Sequence, residues 1–321
     1  MIFNTPLSMM RLQWILPLSL LVCFASSAQE KTEWTDNYES AVATARTQGK
    51  DLLLLFTGDW IPLCQKFEES ILKSDSFLEE VSEQFVLVRL NFPESNRLPP
   101  AMAAQNQLLK DAYRIRGYPA IVLTDDTGRP YGINGFQPVT AEAYTDQILG
   151  MHNLGQEKEK ARDSAKSLDG IAKAKRLIEG IPDLPGNMAA SYFGEEMKAV
   201  ISSDPEDSLG KTALFESLLH DADYRKSMHL LAKESKWDRM IELTDSYIAD
   251  QNLSGGMLQR ALLNKSSVQK QIGSSRGRIE TLLQVVDIDE ESPYGKEAQR
   301  QLDELRSEKL KEESEGNEEQ P

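Results

Sequence analysis

One stretch, residues 51–64, constrains the fold of this chain more than any other. Residues 51–57 (DLLLLFT) form an almost unbroken apolar run, which is typical of a strand buried on both faces. Residues 58–60 (GDW) predict a turn, and a helix is expected from about Pro62 to Ser74. Because a strand buried on both faces needs helices on either side of its sheet, this stretch predicts an α/β architecture.

The same alternation of helical and extended patterns continues to about Gly150. Helical spacing of apolar residues after Glu33, ending at Gly49, predicts a first helix, and Asp36 with Glu39 offers a capping box. We expect one compact domain over residues 29–152. Its further predicted elements are strands at 85–91, 120–124 and about 131–136, a helix containing Met102, Leu108 and Leu109, and a closing helix from about Thr140.

After Gly155 the pattern is helical almost throughout, which predicts an all-α domain of helical hairpins over residues 153–309. Two similar triplets, IEL at 241–243 and IET at 279–281, recur at a helical-repeat spacing, and residues 282–298 resemble the end of a tetratricopeptide array. A generic helical bundle is the alternative. The predicted helices span residues 156–178, 188–201, 210–219, 223–234, 237–250, 256–271, 276–286 and 293–307.

Both ends of the chain have distinctive compositions. Residues 1–28 combine one basic residue, an apolar run and the small residues at 25–28, which predicts a signal peptide cleaved after Ala28. An uncleaved anchor and lipidation of Cys23 are the alternatives. Residues 310–321 are acidic and nearly devoid of apolar side chains, so we expect a disordered tail. The protein is therefore expected to be exported, periplasmic or secreted, with no stable membrane span in the mature chain.

Charge and cysteine content exclude several classes of function. The chain has 51 acidic residues against 36 Lys and Arg, a formal net charge of −15, which argues against nucleic acid as a partner. Histidines 152, 220 and 229 show no ligand spacing, so we expect no metal site and no cofactor. After signal cleavage Cys64 is the single cysteine, and an internal disulfide is then impossible.

A set of short motifs links the first domain to a known family. The residues Thr57-Gly58-Asp59-Trp60, a cysteine early in the next helix, and Arg116-Gly117-Tyr118-Pro119 before a strand resemble exported members of the thioredoxin family. The resemblance covers about residues 33–151. It implies a central mixed sheet flanked by helices, a cis bond before Pro119, and a peptide-binding groove formed by Trp60, Ile61, Pro62, Tyr118 and Pro119.

The chain departs from the family pattern at Ile61. In the family this position holds the nucleophilic cysteine of a Cys-x-x-Cys pair, whose thiolate the helix N-terminus stabilises. Ile61 has nothing to ionise, and Cys64 matches the second, resolving cysteine. Leu55 also stands where the family has a buried acid. Since a resolving thiol acts on a mixed disulfide that the first thiol has made, the usual dithiol cycle has no starting point.

Three hypotheses follow for the function. In the first, the protein is redox-inactive and binds protein or peptide partners through the groove and the helical domain. In the second, Cys64 is catalytic and the protein is a monothiol oxidoreductase or a thiol sensor. In the third, the domain is a structural scaffold whose groove has no role. Whether the protein is an enzyme stays open among them.

Overall fold

A computed structural model describes Met1, residues 34–95 and residues 98–318, with side chains described except at 186–187 and 308–318. Apart from Met1, the predicted signal peptide, including Cys23 and Ala28, lies outside the described residues. In the part of the chain that is described, none of the helices is both long and apolar enough to cross a lipid bilayer.

Four strands form one mixed sheet in the order β2-β1-β3-β4. Strand β1 pairs in parallel with β2 and antiparallel with β3, and β4 adds antiparallel to β3. All seven residues of β1 are buried, as their apolar run predicts for a central strand. The mixed sheet flanked by helices is thereby confirmed. The strands are β1 Asp51–Thr57, β2 Phe85–Asn91, β3 Ala120–Thr124 and β4 Pro130–Gly135.

The helices of the first half differ from the predicted ones in two places. Asn37, and not Asp36, caps α1, while Gly49 ends the helix in the left-handed conformation as expected. The helix predicted over 62–74 divides into α2 and a π-helical turn, Glu68–Leu72, and a further helix, α3, follows. The bounds are α1 Tyr38–Gln48, α2 Pro62–Phe67, α3 Asp75–Gln84, α4 Pro100–Ala112 and α5 Ala141–Ala165.

Seven more helices complete the described chain, and each packs against its neighbour in sequence from α5 onward. Two predicted helices, 210–219 and 223–234, form the single helix α8, and the predicted helix 156–178 is divided between α5 and α6. These bounds are α6 Gly170–Gly180, α7 Gly186–Ser203, α8 Thr212–Lys233, α9 Trp237–Asp250, α10 Gly255–Gln271, α11 Ser275–Ile288 and α12 Pro293–Glu318.

Helix α12 continues to Glu318, whereas the sequence predicted its end at Ser307 and a disordered tail over residues 310–321. Glu and Lys, which dominate residues 308–313, have high intrinsic helix propensity, and this favours helix even without apolar burial. Low hydrophobicity alone therefore does not define where this helix ends.

Each face of the sheet has its own apolar core. On one face, Leu53, Leu55 and Ile121 pack with the helical residues Phe67 and Tyr144. On the other face, Leu52, Leu54, Phe56 and Val122 belong to a cluster that also contains residues of the helical half. Those residues are Ala174, Leu177, Met188, Phe193, Met197 and Phe215. The apolar core on this face is thus continuous with that of the helical half, and the domain boundary predicted at residue 152 falls inside α5.

Candidate functional site

The candidate site lies where β1 ends and α2 begins. Ile61 is the N-cap of α2, with extended backbone angles and no side-chain capping hydrogen bond. Its carbonyl oxygen accepts from the amides of Cys64 at 2.9 Å and Gln65 at 3.2 Å. Pro62 follows in the first turn, where its lack of an N–H leaves no donor in need of an acceptor. The helix dipole would stabilise a negatively charged side chain at this position, but Ile61 is apolar and carries no charge.

Cys64 is the one free cysteine among the described residues, and only 4% of it is exposed. It faces the core in the first turns of α2, while its neighbour Leu63 exposes 46%. Reaction with a disulfide requires an accessible thiolate, because the attacking sulfur must approach in line with the S–S bond. In the conformation described, Cys64 is shielded from such an approach.

Trp60 is held in a half-exposed position, with 51% of it accessible. Its indole Nε1 donates a 3.0 Å hydrogen bond to the carbonyl oxygen of Phe92. The neighbouring Gly58 permits this arrangement, because a Cβ there would lie 3.1 Å from Ile61 Cδ1 and 3.2 Å from Trp60 Nε1. Glycine at position 58 thus lets Trp60 and Ile61 approach the turn closely.

Tyr118 also contacts Phe92. The rings of Phe92 and Tyr118 are stacked, with centroids 4.9 Å apart, and the ammonium group of Lys110 lies 5.4 Å and 5.2 Å from the two centroids. The Tyr118–Pro119 peptide bond is cis, Pro119 is buried and Tyr118 is half-buried. Phe92 therefore contacts Trp60 through its backbone oxygen and Tyr118 through its ring.

The groove predicted from the sequence did not include Phe92. The signal that could have found it is an aromatic residue directly after a buried strand, at the edge where β1 also ends. Of the predicted groove residues, Trp60, Ile61 and Pro62 lie at the start of α2. Leu55, at the position of the family's buried acid, lies fully buried in β1.

A π-helical turn, Glu68–Leu72, follows α2 immediately. The carboxylate of Glu68 accepts two hydrogen bonds from the guanidinium of Arg89 on β2, at 2.6 Å and 2.8 Å, and Arg89 also stacks over Trp34. Bidentate pairing of this kind is both strong and directional. It attaches the end of the site helix to the sheet.

The histidines occupy separate places in the fold. His152 Nδ1 lies 3.1 Å from the buried Asp51 Oδ2, which also accepts a 2.7 Å hydrogen bond from Tyr131. Burial, together with the charge of Asp51, raises the pKa of Tyr131. This network lies at the start of β1, the end opposite Cys64. His220 contacts Gln251, and His229 lines a cleft beside α8.

Comparison with known proteins relates the first part of this chain to one family. Residues 33–125 match the family model described as thioredoxin-like. The chain is 30% identical over 122 residues to the disulfide bond reductase DsbH of Chlamydia pneumoniae, covering 38% of this chain and 73% of that protein. It is 26% identical over 138 residues to the thioredoxin-related protein DsbJ of Chlamydia pneumoniae, covering 42% of this chain and 40% of that protein.

Solved structures similar to this chain include a DsbH oxidoreductase, with 28% identity, a TM-score of 0.37, and coverage of 46% of this chain and 96% of that one. A thioredoxin from Thermus thermophilus matches with 18% identity, a TM-score of 0.31, and coverage of 38% and 88%. From its sequence match to DsbH, its family model and its sheet, this chain belongs to the thioredoxin-like family.

Proposed function

We propose that this protein is an exported thioredoxin-fold protein that binds extended protein or peptide segments and does not carry out dithiol exchange. The binding surface is the groove of Trp60, Ile61, Pro62, Tyr118 and Pro119. One observation carries the proposal: the N-cap of α2, where the family resemblance implies the nucleophile, is the apolar Ile61, and only 4% of Cys64 is exposed.

The surface that remains at the site is suited to contact. Trp60 and Leu63 expose 51% and 46%, and Trp60 is already oriented by its hydrogen bond to Phe92. An aromatic side chain held in one rotamer loses little entropy on binding, so it is an efficient anchor. The backbone of Tyr118 forms no turn or loop hydrogen bond to another backbone group of the described chain, which leaves it available to an extended peptide.

The redox part of the proposal is tested by restoring the missing thiol. The variant Ile61→Cys places two thiols at Cys-x-x-Cys spacing, and we expect it to catalyse reduction of insulin disulfides by dithiothreitol while the unaltered protein does not. The matched control is Leu63→Cys, which adds a thiol beside Cys64 at the wrong spacing and is expected to stay inactive. Activity of the unaltered protein that Cys64→Ser abolishes would refute the non-catalytic function.

The binding part is tested with reduced and alkylated lysozyme, an extended polypeptide without free thiols. We expect Trp60→Ala to weaken its binding roughly tenfold or more, because buried Trp anchors carry about 2 kcal/mol or more. Met257→Ala is the control, since Met257 exposes 50% on the distant helix α10. Equal affinity of both variants and the parent protein would favour a structural scaffold.

A second candidate is a monothiol reaction at Cys64, and the similarity to a disulfide bond reductase favours it. In this reaction the Cys64 thiolate attacks a partner disulfide, one partner sulfur leaves as a thiolate, and a mixed disulfide remains. It requires local opening of α2, because Cys64 is buried. Alkylation by iodoacetamide at pH 7 tests it: fast labelling of the folded protein supports the monothiol function, whereas labelling only in urea opposes it.

Export is the remaining part of the proposal. It rests on the sequence of residues 1–28. N-terminal sequencing of the protein isolated from its native cells is expected to begin at Gln29. Retention of residue 1 or a lipid-modified N-terminus would instead support one of the two alternatives, an anchor or a lipoprotein.

A further inference from the structure

A cleft of about 1080 Å³ lies between helices α4, α7 and α8 and the turn after α4; we call it the basic cleft. Seven Lys and Arg side chains line it against three acidic ones, Asp111, Glu195 and Asp223. In a chain whose formal net charge is −15, such a local excess of positive charge is opposite to the overall balance. The basic cleft therefore concentrates positive potential in one place.

Several of these cations have no acidic partner within the described chain. Lys110, Arg114 and Arg116 form no ion pair there, whereas two of the three acids are already engaged. Asp111 accepts a hydrogen bond from Gln107, and Glu195 pairs with Lys198 at 2.9 Å. None of these three cations is therefore held in an ion pair, although Lys110 lies over the rings of Phe92 and Tyr118.

Arg114 is the least satisfied of them. Its backbone has a φ of 54°, which is uncommon for a residue other than glycine, and its Nε is buried without a hydrogen-bond partner in the described part of the chain. Burial and then the positive charge of Arg225 lower the pKa of Arg114, with a smaller contribution from Arg116, while the negative charge of Asp221 opposes them. Like charges held together at a partly buried position favour the binding of an anion between them.

The size and lining of the basic cleft indicate what kind of anion fits. A volume of about 1080 Å³ exceeds what one small ion fills, and apolar side chains, including Leu108, Ile115 and Leu219, line the cleft together with the charged ones. A long polyanion such as nucleic acid would extend beyond the cleft and meet the acidic remainder of the protein. An acidic peptide presents carboxylates and aliphatic carbons over a short length, so it matches both features.

We propose that the basic cleft binds an acidic polypeptide segment of a partner protein. Carboxylates of the segment pair with Arg114, Arg116 and Lys226, and bidentate geometry at the arginines provides direction. The basic cleft also adjoins the groove, because Lys110 lines it and lies over the Tyr118 ring. This site does not depend on the groove binding a peptide.

The test uses the full chain and a fluorescein-labelled ten-residue peptide of alternating Glu and Ala, followed by anisotropy. The variant Arg116→Glu with Lys226→Glu reverses two exposed charges in the cleft. Its matched control is Lys160→Glu with Lys175→Glu, two exposed lysines outside the cleft, so both variants change net charge equally. We expect the cleft variant to bind roughly tenfold or more weakly and the control within about twofold, with binding weakened by added salt.

Five results would overturn the proposal, of which four concern the cleft and its ligand. They are equal binding of a peptide with Gln in place of Glu, equal weakening by the control variant, tighter binding of an oligothymidylate of the same charge, and no peptide binding at all. Tighter peptide binding after Glu312→Gln, Glu313→Gln and Glu315→Gln would also overturn it, because the protein's own tail would then be the occupant. Far-ultraviolet circular dichroism checks the fold of each variant; if the cleft variant unfolds, Arg116→Gln with Lys226→Gln replaces it.

Discussion

The indole Nε1 of Trp60 donates a 3.0 Å hydrogen bond to the backbone oxygen of Phe92, a residue 32 positions later in the chain. The amide of Phe92 in turn donates to the carbonyl oxygen of Thr57 at 2.8 Å. The ring that a ligand would contact is therefore linked to the ends of two adjacent strands, β1 and β2. Because the strands are fixed by the sheet, the orientation of Trp60 exists before any partner binds.

The first prediction separates this hydrogen bond from the apolar surface of the ring. Trp60→Phe keeps an aromatic side chain but removes the donor, so the Phe92 oxygen loses its partner. We expect the free energy of unfolding to fall by about 1 kcal/mol, measured by urea unfolding at pH 7. Leu63→Ala is the control and is expected to change it by less than about 0.5 kcal/mol. Equal losses in the two variants would show that the hydrogen bond contributes nothing specific.

Burial on both faces made the central strands predictable from sequence. Strand β3 has the predicted bounds, 120–124, and β1 has the predicted bounds, 51–57. Helix α3 was missed because most of its residues are polar or charged and only Phe77 and Val81 are buried. Its start does carry a signal, since the Ser74 side chain accepts a hydrogen bond from the Phe77 amide.

Residues of the site could be predicted from the sequence only where they belong to a recognisable motif. Trp60 and Tyr118 stand in recognisable contexts, whereas Phe92 joins them through ring stacking and its backbone oxygen, which no local pattern encodes. The packing of the helical half on the sheet was also beyond sequence reasoning. Helical periodicity shows which side of a helix is apolar, but not which apolar residues that side joins. The buried residues of α7 belong to the same core as those of β1.

The second prediction concerns that packing. Phe193 is buried in α7 at a kink, and the guanidiniums of Arg129 and Arg162 lie 4.3 Å and 5.2 Å from its ring centroid. Arg129 follows β3 and also binds Glu196 at 2.6 Å. Phe193 therefore packs between the sheet side and the helical half.

Phe193→Ala is expected to lower the free energy of unfolding by about 3–5 kcal/mol, the usual effect of removing a buried Phe. Since the core is shared, tryptophan fluorescence and far-ultraviolet circular dichroism should report one coincident urea transition in the parent protein. Ile171→Ala, at a half-exposed position of α6, is the control and should have a small effect. Two separated transitions in the parent protein would contradict a shared core.

The third prediction concerns the turn between β3 and β4. Gly128 has a φ of +87°, and a Cβ there would clash with the Tyr38 hydroxyl and lie 3.2 Å from the Tyr113 hydroxyl. Both strain and crowding therefore oppose any side chain. Gly128→Ala is expected to lower the free energy of unfolding by about 2 kcal/mol or more, by urea unfolding. Gly117→Ala, where a Cβ meets nothing within 4 Å, should be nearly neutral; equal losses would show that neither effect operates.

The fourth prediction is a loss of stability at alkaline pH. Burial, and next the charge of Asp221, raises the pKa of Tyr247 from 10.0 to about 12. Between these values the folded state keeps a proton on Tyr247 that the unfolded state has released. The unfolding free energy therefore falls as pH rises, so the contribution is complete below pH 10 and is lost as pH rises through 12.

The test compares Tyr247→Phe with the parent protein by urea unfolding at pH 10, 11 and about 12, the range in which the two states differ in protonation, and at about pH 8 as the reference below it. At pH 8 the variant is expected to be less stable, because the 3.3 Å hydrogen bond from Tyr247 to Asp221 is missing. Phenylalanine has no proton to lose, so the stability of the variant should decline less steeply above pH 10. The two curves should therefore converge with rising pH. Parallel curves across the whole range would mean that Tyr247 does not titrate differently in the folded and unfolded states.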